Sequence, residues 1–436
     1  MKVLIAGAGF AGLKLARHLN NKNGIEVVLL DRFNYHQFQP LFYQVSTAGL
    51  DASNISFPLR KMFHKSRNVR IRLAEISSVD IEQNVVETTT GTIDYDILVL
   101  ATGADTNFFG NKNLAEHALP MKSTVEALRI RHHLIQNFED ALLEKDAGEL
   151  KKLMTIVIVG GGPTGVELSG AIAEMKKDVL PCDYPDLDFS NMEVILLEGG
   201  EKTLPTMSAK SSAESAGYLR KLGVNVMLKS LVKDYDGEVV TLTDGRLIPA
   251  STVIWAAGIK GNVPGGFDKG ILVRGNRLKV DRYNRIRGTQ NIYALGDLAY
   301  METPLYPNGH PQVANVAIGQ AKTLSENLLK LAVNNEKFEE YEYHDKGSMA
   351  TVGRNLAVAD IPKPKLHFKG FFAWFIWMAL HLFLLVGVKN RVQVFINWIY
   401  NYFTADQSLR LLFKEFYTPK PIEKSRLLKP EQETLS

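Results

Sequence analysis

Residues 2–12 read KVLIAGAGFAG and residues 155–165 read TIVIVGGGPTG, and these two stretches decide the fold. In each, a short apolar, β-branched run enters three glycines spaced G-x-G-x-x-G. They are Gly7, Gly9 and Gly12 in the first and Gly160, Gly162 and Gly165 in the second. The first glycine of such a triplet permits a tight turn, the second leaves room for a pyrophosphate, and the third lets helix and strand approach closely. The following helix then offers unpaired amides and the positive end of its dipole to the phosphates.

The pattern predicts a first unit with a helix from Ala11 to about Asn20 and a second strand at 25–30 that delivers Asp31, nineteen residues beyond Gly12. The second unit should have a helix reaching Asp178 and a strand at 193–197 that delivers Glu198, thirty-three residues beyond Gly165. The extra length falls in LPCDYPDLDFSN at 180–191, with two prolines and three aspartates, which is expected to be a surface excursion. Strand, triplet, helix, strand and acid in register are far more specific than a triplet alone. Asp31 and Glu198 can each accept hydrogen bonds from an adenosine ribose. Glu198 would repel a 2'-phosphate, so the second site should favour NADH over NADPH.

Each half also holds a strand that ends at a small, backbone-exposing turn: 95–100 leading to Ala101, Thr102 and Gly103, and 252–255 leading to Ala256, Ala257 and Gly258. A polar hairpin is expected near each, so the halves read as a loose internal repeat. A third element, NIYALGDLAY at 291–300, predicts a strand ending at Gly296 and Asp297, with a helix starting near Pro311. That strand is expected to rejoin the first unit and aim Asp297 at its nucleotide.

A chain of 436 residues with 45% apolar content suits two or three cores. Lys plus Arg number 51 against 47 Asp plus Glu, and no block is basic enough to suggest a nucleic-acid groove. The single cysteine, Cys182, cannot form an intrachain disulfide or act as a dithiol shuttle. The N-terminus enters a strand pattern at Val3 with no cleavable signal before it, so the core domains are expected to stay in the cytosol. No residue set suggests a metal.

Residues 371–388, FFAWFIWMALHLFLLVGV, carry His381 as their only ionisable group, and as one helix they would span about 27 Å, near a bilayer's hydrocarbon thickness. The next stretch interleaves polar residues with Val394, Phe395, Trp398, Ile399, Tyr402, Leu409, Leu412, Phe413 and Phe416, which reads as one apolar helical face. Lys389, Arg391, Arg410 and Lys414 could meet anionic headgroups. The pair suits a platform lying on a membrane better than a span or a buried dimer helix. His381 is expected to pack within it rather than to catalyse.

The chain resembles the type II NADH:quinone oxidoreductases, within the two-dinucleotide flavoproteins. The resemblance rests on AGAGFAGLKLA (6–16), DRFNYHQFQPLFYQV (31–45), ATG (101–103), VGGGPTGVELSG (159–170), AAG (256–258), YALGD (293–297), QVAN (312–315) and HLFLLVGVKNR (381–391). NYHQFQPLFYQV and HLFLLVGVKNR are the most specific of these.

The resemblance implies non-covalent FAD on Gly7, Gly9, Gly12 and Asp31, lined by Ala101, Thr102 and Gly103, with Gly296 and Asp297 at its ribityl or phosphate region. It implies NADH on Gly160, Gly162, Gly165 and Glu198, with Ala257 and Gly258 nearby. Glu167 would be the helix-borne carboxylate close to flavin and quinone, and Gln312 the glutamine that meets a quinone carbonyl. One departure stands out. Many bacterial members carry alanine before that glutamine and a second glutamine four residues after it, where this chain has Pro311 and Val316.

The expected architecture is therefore α/β. It comprises an FAD-binding domain at 1–115 and 286–345, an NADH-binding domain at 116–285, and a helical membrane-anchoring and dimerising region at 346–436. The expected activity passes a hydride from NADH to FAD and two electrons to a membrane quinone, ubiquinone or menaquinone, without proton pumping. The site of action would be the cytoplasmic face of the cell membrane, with a homodimer as the working unit. Sulfide:quinone oxidoreductase and the disulfide reductases need cysteine pairs this chain lacks. A ferredoxin-type reductase, or a non-catalytic FAD- and NADH-responsive membrane adaptor, is the remaining alternative.

Overall fold

The computed structural model describes residues 1–413. Its two principal sheets are all-parallel and share one plan. The first has the strand order Ile292–Ala294, Ile97–Leu100, Lys2–Ala6, Glu26–Asp31, Val69–Leu73. The second runs Leu119–Pro120, Thr252–Trp255, Thr155–Val159, Glu193–Leu197, Asn225–Met227. In both, the glycine-triplet strand lies between the acid-bearing strand and the strand that leads to ATG or AAG. Strands buried on both faces read as continuous apolar runs, which is why TIVIV is buried throughout.

The repeat extends to the hairpins. Ile76–Asp80, Val85–Thr88 and Gly91–Asp94 form a three-stranded antiparallel sheet in the first half, and Val232–Tyr235, Val239–Leu242 and Leu247–Pro249 form its counterpart. The glycine helices are Phe10–Leu19 and Pro163–Asp178. The stretch at 180–191 is more ordered than a surface excursion: it forms a short helix, Leu180–Asp183, and a 3-10 turn, Phe189–Asn191, because Leu180 and Phe189 are buried in the second core.

The strand Ile292–Ala294 rejoins the first sheet beside Ile97–Leu100 as expected, and the helix after it is Ala314–Leu331. Further pairings join the two units. Ala104–Thr106 pairs with Ile259–Gly261, and Arg277–Val280 pairs with Ala299–Met301. Leu278, Val280 and Ile286 share a core with Leu4 and Leu98 of the first unit.

The C-terminal region is not purely helical. It opens with an antiparallel sheet, Ser348–Gly353, Leu356–Ile361 and Leu366–Lys369, packed on the Pro163–Asp178 helix. A Cβ at Gly170 of that helix would sit 1.6 Å from the Val352 carbonyl oxygen, so only glycine permits this approach.

Two helices follow, Gly370–Leu384 and Val388–Thr404. The expected continuous helix over 371–388 breaks after Leu384, because Leu385 turns into the core and Gly387 takes φ +87° against Phe57. Fifteen helical residues reach about 22 Å, short of a bilayer core of about 30 Å. Among the described residues no helix is long and apolar enough to cross a membrane.

The second helix has two apolar edges rather than one. Val394 and Trp398 face the body, whereas Phe395, Ile396, Ile399 and Phe403 face outward. It stops at Thr404, where Ala405 adopts a left-handed φ of 57°, so the helical face expected to run on through Leu409, Leu412 and Phe413 is interrupted. Lys414 and Phe416 lie outside the described residues. Phe371, Phe372, Phe375 and Phe383 on the first helix are exposed as well, which leaves a broad apolar surface on the pair.

Candidate functional site

The first glycine turn is enforced by its own backbone. Gly7 has φ +107°, and a Cβ there would lie 2.2 Å from the Ala101 carbonyl oxygen. At Gly12 a Cβ would lie 1.8 Å from the Gly7 carbonyl oxygen, while one at Gly9 would meet nothing within 4 Å and faces open groove. The helix beyond has Gly9 as N-cap and no side-chain cap, so its first amides remain for a ligand. Asp31 accepts from the Ala8 amide at 2.6 Å and the Phe33 amide at 2.7 Å, which fixes its carboxylate beside the turn. Burial raises its pKa against those two bonds.

The second turn repeats this geometry. Gly160 has φ +113°, with a Cβ position 2.7 Å from the Ala256 carbonyl oxygen; at Gly165 the contact is 1.9 Å from the Gly160 carbonyl, and Gly162 is again open. Glu198 is held by the Gly161 and Gly200 amides, each at 2.6 Å. Ala257 packs on the second core, and Gly258 lies under the Phe109 ring.

A groove of about 810 Å³ runs between the two units and brings most of these residues together. Gly7, Gly9, Asp31, Ala101, Thr102 and Gly103 line one end, and Pro163, Thr164, Glu167, Ala256 and Gly258 the other. Gly296, Asp297 and Gln312 line its middle. Asp297 is half-buried, and desolvation raises its pKa against the charges of Lys122 and Arg277. The Gln312 amide nitrogen donates to the Asp297 carbonyl at 2.8 Å, so one of its two N–H groups serves the loop and one remains for a ligand. Val316 points into the core beneath the first sheet and does not line the groove.

Glu167 sits on the Pro163–Asp178 helix, where its sequence neighbours Val166 and Leu168 are in the core. The residue is 9% exposed; its carboxyl accepts from the Thr351 amide at 3.4 Å, and Trp377 lines the same space. Burial pushes it up to about 8, so it is mainly a neutral acid at pH 7. His381 does pack as expected, stacked on Trp377 at 4.0 Å with Nδ1 2.7 Å from the Trp377 carbonyl. It also lines the groove, and burial lowers its pKa to about 4.

Several supporting residues were not singled out in the sequence, although His36 lies within the NYHQFQPLFYQV segment. His36 Nδ1 lies 2.9 Å from the Ala8 carbonyl and braces the first turn. Gln320, fully buried, accepts from the Gly296 amide at 2.7 Å. Lys122 lines the groove near Asp297, and buried Arg277 donates to the Ala299 and His310 carbonyls. All are single polar residues inside otherwise apolar or loop segments, so no periodicity betrays them.

The two most specific segments of the sequence meet in space where the Phe38 and His381 rings pack edge to face at 6.2 Å, and hydrogen bonds from flanking residues tie the same regions together. The Trp398 indole donates to Gln44 at 2.7 Å, and Asn390 donates to the Ser53, Asn54 and Ser56 carbonyls. Gln37 accepts from the Thr124 amide at the start of the helix Thr124–Ala141.

The pyridine nucleotide-disulphide oxidoreductase family profile matches residues 1–321, and the NDH2 C-terminal domain profile matches residues 345–405. A type II NADH:quinone oxidoreductase of Mycobacterium tuberculosis is 36% identical over 415 residues, covering 91% of this chain and 87% of that protein. Another, from Haemophilus influenzae, is 30% identical and covers 87% of this chain and 92% of that protein. Among solved structures, NDH2 from Plasmodium falciparum in complex with NADH superposes with a TM-score of 0.84 at 23% identity, covering 95% of this chain and 99% of that one. The sulfide:quinone oxidoreductase of Aquifex aeolicus shares the fold more loosely, with a TM-score of 0.69 at 18% identity over 90% of this chain and 92% of that one.

Proposed function

The chain belongs to the type II NADH:quinone oxidoreductases, flavoenzymes that oxidise NADH and reduce a quinone, and from that premise we propose how its residues divide the work. The observation that carries the proposal is one groove lined by the first glycine turn at one end and by Pro163 and Thr164 of the second, equivalent turn at the other, with Glu167 in its wall; Gly160, Gly162, Gly165 and Glu198 lie outside the groove lining. The first turn fits FAD: Gly9 leaves space for the pyrophosphate, uncapped helix amides face it, and Asp31 is fixed beside it. Ala101, Thr102 and Gly103 would line that nucleotide, and Gly296 and Asp297 would meet its ribityl or phosphate region. The second turn, with Glu198, Ala257 and Gly258, would hold NADH. Bound FAD supplies the two-electron relay between the nicotinamide and the quinone.

The protein's own contribution is alignment and proton supply. Gly162 and Pro163 would let the nicotinamide approach along the Pro163–Asp178 helix, which needs positioning more than acid–base help. Glu167 would donate a proton toward the quinone oxygen, being protonated at neutral pH and present in the groove wall. Gln312 would offer its spare N–H to the other carbonyl. The exposed apolar surface of the two C-terminal helices supports a monotopic platform on the cytoplasmic face of the membrane, where a lipid quinone is met, and a homodimer through the same region.

Purified protein mixed with NADH and then a short-chain quinone tests this reading. Bleaching of flavin absorbance by NADH followed by its return on adding quinone is expected. Nucleotide binding without bleaching would instead favour the adaptor.

A further inference from the structure

Reduction of a quinone to a quinol takes two electrons and two protons. The hydride of NADH accounts for both electrons and one proton, so the balance NADH + H⁺ + quinone → NAD⁺ + quinol draws one proton from water in each turnover. When nucleotide and quinone fill the groove, that proton needs another way in. We infer that a second cavity, behind Glu167, is the inlet by which solvent protons reach this carboxyl, with Glu174 as the station on the way. The inference rests on the proposed role of Glu167 in quinone reduction.

The cavity, of about 130 Å³, lies between the Pro163–Asp178 helix and the C-terminal region. Glu167 and Trp377 line both it and the nucleotide groove, so they form the wall between the two spaces. Glu167, Glu174 and Asp178 all line the second cavity. Spacings of seven and eleven residues put them on one helical face, about 10 Å and 17 Å along the axis from the first. The row climbs from a buried acid to a rim residue, since the Asp178 side chain is 27% exposed. Glu174 accepts from the Arg354 amide at 2.6 Å, and the Arg354 guanidinium lies 4.0 Å from Asp178 and donates to the Tyr402 carbonyl at 3.0 Å, framing the mouth.

The lining suits water rather than a ligand. Among Trp374, Trp377 and Trp398 the wall also carries Gln44, Thr47 and Asn401, which bond to Tyr43 and Gly49, and the Gln407 side-chain oxygen, buried with no partner among the described residues; the volume admits several waters while falling below the roughly 300 Å³ of small-molecule sites. The groups that face Glu167 do not compete for its proton. Tyr43, which accepts from Gln44 at 2.7 Å, is pushed far above its usual range by burial, and His381, across the Trp377 ring, is held neutral. Burial raises the Glu174 carboxyl too, against the Arg354 amide and charge.

Stopped-flow measurement of the two half-reactions tests the inlet. Glu174→Gln keeps an acceptor for the Arg354 amide; it is expected to leave flavin reduction by NADH unchanged. It should slow reoxidation by a short-chain quinone at least roughly tenfold, with a larger solvent deuterium isotope effect on that phase. Glu174→Asp should restore most of the rate. Ala171→Val, which fills the cavity from the same helix without removing a carboxyl, should reproduce the slowing and the isotope effect. Wild-type reoxidation and isotope effect in both Glu174→Gln and Ala171→Val, with Glu167→Gln slow, would overturn the inlet and leave the Glu167 reading standing. Unimpaired reoxidation in Glu167→Gln would sink that reading itself.

Discussion

Raising the pH through 8 should slow quinone reduction while sparing the reaction with NADH, and Glu167→Gln should remove that dependence. The Glu167 carboxyl, pushed up to about 8 by burial, is about nine-tenths protonated at pH 7 and about one-tenth at pH 9. A step that takes its proton from this acid therefore falls roughly tenfold across that interval. The same shift appears in folding. From the ordinary carboxyl range up to about pH 8 the native state holds a proton that the unfolded chain has released, so native stability declines as pH rises through that window. The slope is at most about 1.4 kcal/mol per pH unit, it levels off above pH 8, and the glutamine variant lacks it. Tyr43 stays protonated and His381 neutral over this range, while Glu174, raised by burial, is the other carboxyl facing the cavity. Stopped-flow traces from pH 6 to 9.5, with NADH first and a short-chain quinone second, give the two rates separately. A wild-type reoxidation rate with no break between pH 7 and 9, or the same break in Glu167→Gln, would refute the reasoning.

Gly165→Ala forces a Cβ to within 1.9 Å of the Gly160 carbonyl and should cost about 2 kcal/mol of NADH binding, roughly thirtyfold in KM, with FAD content unchanged. Gly12→Ala, with its 1.8 Å contact, should instead lose FAD, read as the flavin-to-protein absorbance ratio. Asn390→Ala strips three backbone carbonyls of a buried donor and should lower stability by about 2–3 kcal/mol, seen as a lower urea midpoint. Phe372→Glu combined with Phe403→Glu, both on the outward apolar surface, should abolish co-sedimentation with anionic vesicles while leaving NADH binding intact; unchanged sedimentation would argue against the platform.

The nucleotide-binding halves were legible because their constraints are local. A Cβ at Gly12 would clash with the Gly7 carbonyl five residues back, so the spacing encodes the turn, while one at Gly7 would meet the Ala101 carbonyl at the end of the neighbouring strand. The acids were legible for the same reason, each sitting at the end of an adjacent parallel strand. What depends on long-range pairing was not. SMATVG at 348–353 becomes a strand against Leu356–Ile361 and packs on a helix nearly two hundred residues earlier, and nothing in its composition separates it from a loop. Arg277–Val280 crosses into the first unit because Ala299–Met301 offers it an edge, an event outside any sequence window. The two-edged Val388–Thr404 helix misled in another way: Val394 and Phe395 are adjacent and equally apolar, and only the body's position decides that one faces inward and the other outward. At the site, Glu167 was visible through its motif, while Gln320, His36 and Lys122 acquire their roles from neighbours assembled by the fold.

The contact between Gly170 and Val352 has an implication for how the enzyme can be cut or redesigned. The helix that begins at the NADH turn carries Glu167, and its middle is pressed against the C-terminal sheet without space for a single methyl group. The nucleotide pocket and the outer apolar face thus belong to one inflexible block rather than to two modules joined by a tether. Removing residues 345 onward to obtain a more soluble enzyme would take away the Thr351 amide from Glu167 and the Trp377 wall. The shortened protein should keep its FAD turn, whose contacts lie within the first half, yet forfeit the acid's tuned environment. For this architecture, solubility is better sought by recolouring the outward phenylalanines than by truncation.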